Sequence, residues 1–226
     1  MTKMKLGIVG LGYVGTAVYE GLKDFHEINT FDIAKKSSCL DIEELTELSD
    51  YIFVSVPTPM NKIGQCDLSI VEEVIGKIDK RSNGKKVVIL KSTSIPETTQ
   101  NLQKKFPNIT IIFNPEFLTE KNFIEDFKNQ EFIILGGDKD KVGEVKNIYE
   151  IAFPNSKYYL TDSITAETVK YTINNFLALK VSFANEIYRL CEVLKIDYND
   201  MINIASEDSR LGQSHWMVPG HDGSFG

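Results

Sequence analysis

The sequence predicts an α/β fold, a doubly wound and mostly parallel sheet, followed by a long-helix all-α part. Three observations carry that expectation. In residues 5–15 an apolar strand (Leu6, Ile8, Val9) runs into Gly10, Gly12 and Gly15, spaced GxGxxG, and an amphipathic helix (Val14, Val18, Leu22) follows at once. Short apolar runs then alternate with helix-period segments as far as Leu160, the pattern of a parallel sheet with helices on both faces. From Asp162 to about Leu194 there is neither Pro nor Gly, which predicts one helix longer than most.

The strand, turn and helix around the glycines make a Rossmann-like dinucleotide turn of residues 10–15. Gly10 permits the tight turn, Gly12 lets backbone approach a pyrophosphate, and Gly15 lets the helix pack close to the strand. With Leu11, Tyr13 and Val14 they present free N–H groups to phosphates at a helix N-terminus. A glycine-rich turn without a ligand is the alternative. The second strand, Glu27 to Ile33, carries Asp32 about 17 residues past Gly15. A carboxylate there accepts from a ribose 2′-OH and repels a 2′-phosphate, favouring NAD over NADP. Lys35 and Lys36 read as solvated loop charges.

A polar stretch leads to a helical run, Asp41 to Leu48, and to the strand Tyr51 to Val56, which stops at Pro57-Thr58-Pro59. Asp67 reads as the N-cap of a helix over Leu68 to Ile78 (Val71, Val74, Ile75, Ile78). Lys86 to Leu90 is a strand ending in Lys91-Ser92-Thr93-Ser94, and Pro96 begins the next helix. Ile109 to Phe113 runs into Asn114-Pro115-Glu116-Phe117-Leu118-Thr119-Glu120, with two carboxylates four residues apart. The plain alternative for these is an acidic first helical turn. Glu131 to Leu135, Asp140 to Ala152 and Lys157 to Leu160 complete strand, helix and strand. On the long helix Lys170 and Asn174, at i and i+4, share a face as a polar pair or as snorkelling side chains. Its apolar positions cover more than one face, which predicts packing on two sides. A short helix, Asn199 to Ser206, and a Gly-rich tail follow. The expected organisation is a nucleotide-binding domain over 1–161 and a helical domain over 162–226.

A formal charge of −7 with interspersed signs argues against nucleic acid or an anionic membrane as the main partner. Cys39, Cys66 and Cys191 are odd in number and widely spaced, which suits free thiols in a reducing compartment, the cytoplasm by default. No apolar run approaches the roughly 18 residues of a membrane span. His26, His215 and His221 form no ligand cluster, so no metal site is expected.

Taken together the motifs are specific. GLGYVG at 10–15, VPTP at 56–59 with GxxDLS at 64–69, KST at 91–93, NPEFLTE at 114–120, AETVKYTINNFLA at 166–178, NE at 185–186 and DSRLG at 208–212 occur in order. With them the sequence resembles the UDP-glucose/GDP-mannose dehydrogenase family, most nearly its UDP-glucose 6-dehydrogenase-like members. The resemblance implies oxidation of the C6 alcohol of a nucleotide-linked sugar, UDP-glucose or a relative, to the carboxylate in two hydride transfers to NAD, with a cysteine holding a thiohemiacetal and then a thioester. It implies that Thr93 and Glu116 handle the hydrolytic water, Glu116 as base, and that Lys170 and Asn174 stabilise the C6 oxygen. By the same resemblance Glu116, Phe117 and Leu118 position the sugar and Glu120 also touches the cofactor. Val56, Pro57, Thr58, Ser92 and Thr93 line the nicotinamide side. Arg210 reaches a neighbouring subunit's substrate in a homodimer built on the 162–194 helix.

The sequence departs from the family pattern in two places. The chain stops at Gly226, short of the F-G-G-x-C that carries the family's nucleophile, so a fragment of a longer enzyme is expected, itself unable to complete turnover. The segment from Asp32 to Tyr51 is also short, which puts the adenosine-side contacts in question. Two other functions compete: a non-catalytic NAD-binding dimerisation module, and a two-electron dehydrogenase of the hydroxyacid type.

Overall fold

The computed structural model describes residues 3–219. Strands β1 (Lys5–Val9), β2 (Glu27–Phe31), β3 (Tyr51–Val54), β4 (Lys86–Leu90), β5 (Ile109–Phe113), β6 (Phe132–Gly136) and β7 (Lys157–Thr161) form one sheet in the order β2-β1-β3-β4-β5-β6-β7. The first five are parallel; β6 runs antiparallel to β5, and β7 pairs parallel with β6. The expected doubly wound, mostly parallel α/β sheet is present. Successive residues of one strand enter opposite cores: Ile52 and Val54 pack with helices α2 (Ile42–Leu48), α3 (Ser69–Arg81) and α4 (Thr98–Lys105). Phe53 packs with α1 (Tyr13–Leu22), α5 (Phe123–Lys128) and α6 (Lys139–Ala152). Burial on both faces is why β3 to β5 read as continuous apolar runs rather than alternating ones.

The chain folds as two compact units, Met1–Lys170 and Tyr171–Gly226. The single helix α7, Ser163–Leu194, runs through the boundary, and its first two turns belong to the sheet-bearing unit. There Ala166 and Glu167 are fully buried, and Gly136 is needed because a Cβ on it would lie 2.5 Å from the Ala166 methyl. In the second unit Cys191, Tyr198 on α8 (Tyr198–Ala205), Ile202 and Trp216 form a small core. The Tyr198 hydroxyl donates to the Trp216 carbonyl at 2.7 Å. Lys180 donates to the Leu211 carbonyl at 2.7 Å over the Trp216 ring.

Several local expectations differ from the structure. The helix expected from Pro96 begins at Thr98, because Glu97 takes a left-handed φ of 75°. The Glu167 carboxylate explains that turn: it accepts from the N–H groups of Glu97 (2.7 Å) and Thr99 (2.8 Å) and from the Thr99 hydroxyl (2.6 Å), so a side chain of α7 caps α4. Asp67 accepts from the Ser69 N–H, but the helix starts at Ser69 and Leu68 occupies the cap position. The α5 helix has no counterpart in the sequence reading. Residues 114–119 are not helical, so Glu116 is not in an acidic first turn. Residues 220–226, with His221 and the end of the Gly-rich tail, lie outside the described residues.

Candidate functional site

The chain reverses its direction across the sheet between β1 and β3, and in open α/β sheets ligands bind outside the strand C-termini at such a point. Gly10 leaves β1 with φ +89°, and a Cβ there would lie 2.5 Å from the Ser55 carbonyl oxygen at the end of β3. A Cβ on Gly15 would lie 1.8 Å from the Gly10 carbonyl, so only glycine lets α1 start this close to the turn. Gly12 differs from both. A Cβ there would meet nothing within 4 Å, and Gly12 caps α1 without a side-chain hydrogen bond. Open space over the first N–H groups of α1 is what a bound pyrophosphate requires, so the residues fit a dinucleotide. Tyr13 is exposed with its ring against Phe123, and Val14 is half-buried.

Asp32 stands beside this turn. Its Oδ2 accepts from the Leu11 N–H at 2.6 Å and its Oδ1 from Ala34 and Lys35. Partial burial pushes the Asp32 carboxyl up, but the three backbone donors and the Lys35 ammonium outweigh it and hold the group below the usual carboxylate value. Lys35, read from sequence as a solvated charge, reaches back to donate to the Leu11 carbonyl at 2.5 Å, so the shortened segment still delivers a cation to the turn.

The loops after β3 and β4 are joined. Ser92 Oγ accepts from the Val56 N–H at 3.0 Å and donates to the Val56 carbonyl at 2.7 Å. The Thr58 hydroxyl donates to the Thr93 carbonyl at 2.9 Å. Val56, Thr58, Ser92 and Thr93 are thus brought together, while Pro57 is exposed. The half-buried Cys66 thiol also lies 3.9 Å from the Thr93 carbonyl oxygen.

A second cluster forms where β4 and β5 end. Lys170, 4% exposed, pairs with Glu116 Oε1 at 3.1 Å and also donates to the Glu116 carbonyl. Glu116 Oε2 accepts from the Leu118 N–H at 2.8 Å, and the Lys170 ammonium sits 5.0 Å from the Phe117 ring centroid. A side chain this buried is not snorkelling. It brings a cation and a carboxylate from residues 54 apart into one place, with Phe117 and Leu118 half-buried beside them. Glu120 is exposed instead. Asn174, four residues further along α7, and Arg210 belong to the second unit; both are exposed, and Arg210 pairs with Asp208 at 2.5 Å.

Behind the Glu116 loop lies Lys91, 3% exposed. Its ammonium donates to Asn114 Oδ1 at 3.0 Å and to the Asn114 carbonyl at 3.4 Å. Burial pulls this lysine from near 10.5 to about 8, the Glu116 charge opposing and the Lys170 charge adding to that shift. From sequence, Lys91 is marked only within the KST segment on the nicotinamide side, and Asn114 and Glu167 carry no individual role, although Lys91 and Asn114 each directly follow an apolar strand. An open depression of about 890 Å³, bordered by Lys5, Asp50 and Tyr51, lies at the opposite ends of the strands from Gly10, Val56, Thr93 and Glu116.

Comparison with known proteins fits this geometry. The sequence model of the UDP-glucose/GDP-mannose dehydrogenase family NAD binding domain matches residues 32–153, and that of the family's central domain matches 164–224. The chain belongs to this family. The glycine turn precedes the matched range, so its assignment rests on the geometry above. Among its relatives, UDP-glucose 6-dehydrogenase of Rickettsia bellii is 35% identical over 80% of this chain and 43% of its own length. The Bacillus subtilis UDP-glucose 6-dehydrogenase TuaD is 33% identical over 87% of this chain and 44% of its own. A UDP-glucose dehydrogenase structure from the archaeon Pyrobaculum islandicum superposes with a TM-score of 0.86 at 25% identity, covering 95% of this chain and 59% of that one. The chain spans less than half the length of the two curated relatives. As a member of the family it carries the NAD-binding domain, and among the described residues no helix is long and apolar enough to cross a membrane.

Proposed function

We propose that this chain forms the cofactor and sugar-C6 end of an NAD-dependent nucleotide-sugar dehydrogenase, which oxidises the C6 alcohol of UDP-glucose or a related nucleotide sugar to the carboxylate. The observation that carries the reading is the buried Lys170–Glu116 pair beside the joined Thr58 and Thr93 loops. A module that only binds NAD has no use for a buried cation and carboxylate at that end of the sheet.

NAD, when bound, supplies the hydride acceptor. The first N–H groups of α1 and the open face of Gly12 hold its pyrophosphate, and Asp32 orients the ribose it favours. Two of the three Lys170 N–H donors are engaged by Glu116, leaving one for the substrate's C6 oxygen, where negative charge develops as the C–H bond breaks. Asn174 is retained at the position where the family resemblance implies a donor to the sugar. Glu116, with Thr93, holds and deprotonates the water that hydrolyses the thioester. Phe117 and Leu118 position the sugar ring, and Glu120 reaches the cofactor. None of Cys39, Cys66 or Cys191 has the sequence context of the family nucleophile; Cys39 and Cys191 are buried among apolar side chains, and the thioester cysteine is assigned to none of the three.

In the second unit Phe176, Leu179, Phe183, Leu190 and Val193 are exposed along α7, an apolar stripe that supports a homodimer formed on this helix, with Arg210 serving the neighbour's site. The free thiols suit the cytoplasm. The deciding experiment is Lys170→Ala in UDP-glucose-dependent NAD⁺ reduction by the longer enzyme that includes the family's cysteine. A rate loss on the order of 10²–10³ with NAD⁺ affinity kept supports the assignment. Unchanged turnover overturns it.

A further inference from the structure

Lys91 is a buried cation to which the reaction above gives no task. Its two acceptors are neutral oxygens of one residue, Asn114, and its other close neighbour is the Phe127 ring at 5.8 Å. Asn114 is itself fixed: the Tyr149 hydroxyl donates to its Oδ1 at 2.5 Å, and its Nδ2 donates to the Ile134 carbonyl at 2.8 Å. Asn114 also opens the loop that carries Glu116. This loop is undercut by a cavity of about 180 Å³, bordered by Lys91, Glu116, Phe117 and Gln130, whose buried Nε2 has no partner. The far end of the loop is tied by the Thr119 N–H and hydroxyl, which donate to Asp126, and its middle by Lys170, so Asn114 is the anchor at its start. A methionine would fill the place of Lys91 without the cost of burying a charge.

We propose that Lys91 is a positioning residue for Glu116: by holding the side chain and carbonyl of Asn114, its ammonium keeps the undercut loop in the conformation in which Glu116 meets Lys170. The proposal rests on the reading that Glu116 and Lys170 serve the reaction, and its test is independent of turnover. The charged and titratable groups around Lys91 are Glu116 on the loop, Lys170 on α7, Tyr149 on α6, and Asp126 and Glu131 across the cavity. Burial pushes the Tyr149 hydroxyl up, so it stays neutral throughout the range that matters. Lys91 gives up its proton in mildly alkaline solution, and a neutral amine grips carbonyl oxygens less firmly than an ammonium.

The test is amide hydrogen exchange at Leu118, whose N–H donates to Glu116 Oε2, followed by NMR on this chain and corrected for intrinsic rates. In the wild type, protection falls about tenfold as pH rises, with a midpoint near 8. In Lys91→Met, protection is low at every pH and has no midpoint, while the Val88 and Ile112 amides of β4 and β5 keep theirs. Asn114→Asp sets a carboxylate against the ammonium and moves the midpoint upward by about one pH unit. A pH-independent Leu118 in the wild type, unchanged protection in Lys91→Met, or a midpoint that Asn114→Asp leaves in place would each overturn the proposal. The wild-type profile decides even if both variants fail to fold. Unchanged turnover in Lys170→Ala would sink the functional reading and leave this result standing.

Discussion

The ends of β1 and β3 and the ends of β4 and β5 belong to one sheet but are built from different materials. The first is made of backbone: Gly10, Gly12 and Gly15 bring chain against chain and leave N–H groups facing open space. The second is made of side chains: Lys91, Asn114, Glu116 and Lys170 come from three separate stretches and meet where little water reaches. Backbone sites depend on the absence of a Cβ, so single methyl groups break them. Side-chain sites depend on charge and are sensitive to pH.

The largest effect that separates the two is Gly15→Ala. Its Cβ would lie 1.8 Å from the Gly10 carbonyl oxygen, a backbone atom, so the turn must move. A stability loss of about 2–4 kcal/mol by denaturant unfolding and at least a tenfold loss of NAD⁺ affinity are expected. An affinity within twofold of wild type would show that the turn does not hold the cofactor.

Lys91→Met comes next, and its sign is set by linkage. The folded value, about 8, is below the ordinary lysine value of 10.5, so between those pH values the unfolded chain holds more protons and stability rises with pH. The Lys91 contribution to that rise is roughly 3 kcal/mol, and denaturant unfolding across the window should show it missing from Lys91→Met. Loss of the same proton loosens the Glu116 loop locally while relieving the global cost of a buried charge. Curves that rise equally in both proteins would mean the ammonium is not desolvated.

Smaller again is Asp32→Asn. It should weaken NAD⁺ by about 1–2 kcal/mol and narrow the preference over NADP⁺, read by calorimetric titration of each. Because the carboxyl is held below its usual value, any stability it contributes is present at neutral pH and is lost as pH falls through its folded value. Cys66→Ser should be nearly silent, within about 0.5 kcal/mol in stability and unchanged in NAD⁺ affinity. A large loss of oxidation in that variant would bring its thiol, 3.9 Å from the Thr93 carbonyl, into the chemistry.

The same contrast explains what the sequence could show. The glycine turn, the seven strands and the long helix are local patterns, set by period and by residues that permit one conformation, and they were legible to within a few residues. The antiparallel entry of β6 was not, because strand direction is decided by a connection rather than by the strand's own residues. The start of α4 was misplaced for a related reason: Pro96 is a good first helical residue, but the Glu167 carboxylate from 70 residues away fixes the turn at Glu97. Lys170 and Glu116 could be marked as candidates from their motifs. That the two would pair, and that Lys91 would be buried behind them, depends on contacts across the fold that no spacing encodes.

The central claim is that the glycine end and the Lys170–Glu116 end are separable sites. The most direct test is calorimetric titration of NAD⁺ into the wild-type chain, Gly15→Ala and Lys170→Met. The account predicts binding to the wild type, the same affinity within about threefold for Lys170→Met, and at least a tenfold loss for Gly15→Ala. Equal loss in both variants, or full affinity in Gly15→Ala, would contradict it.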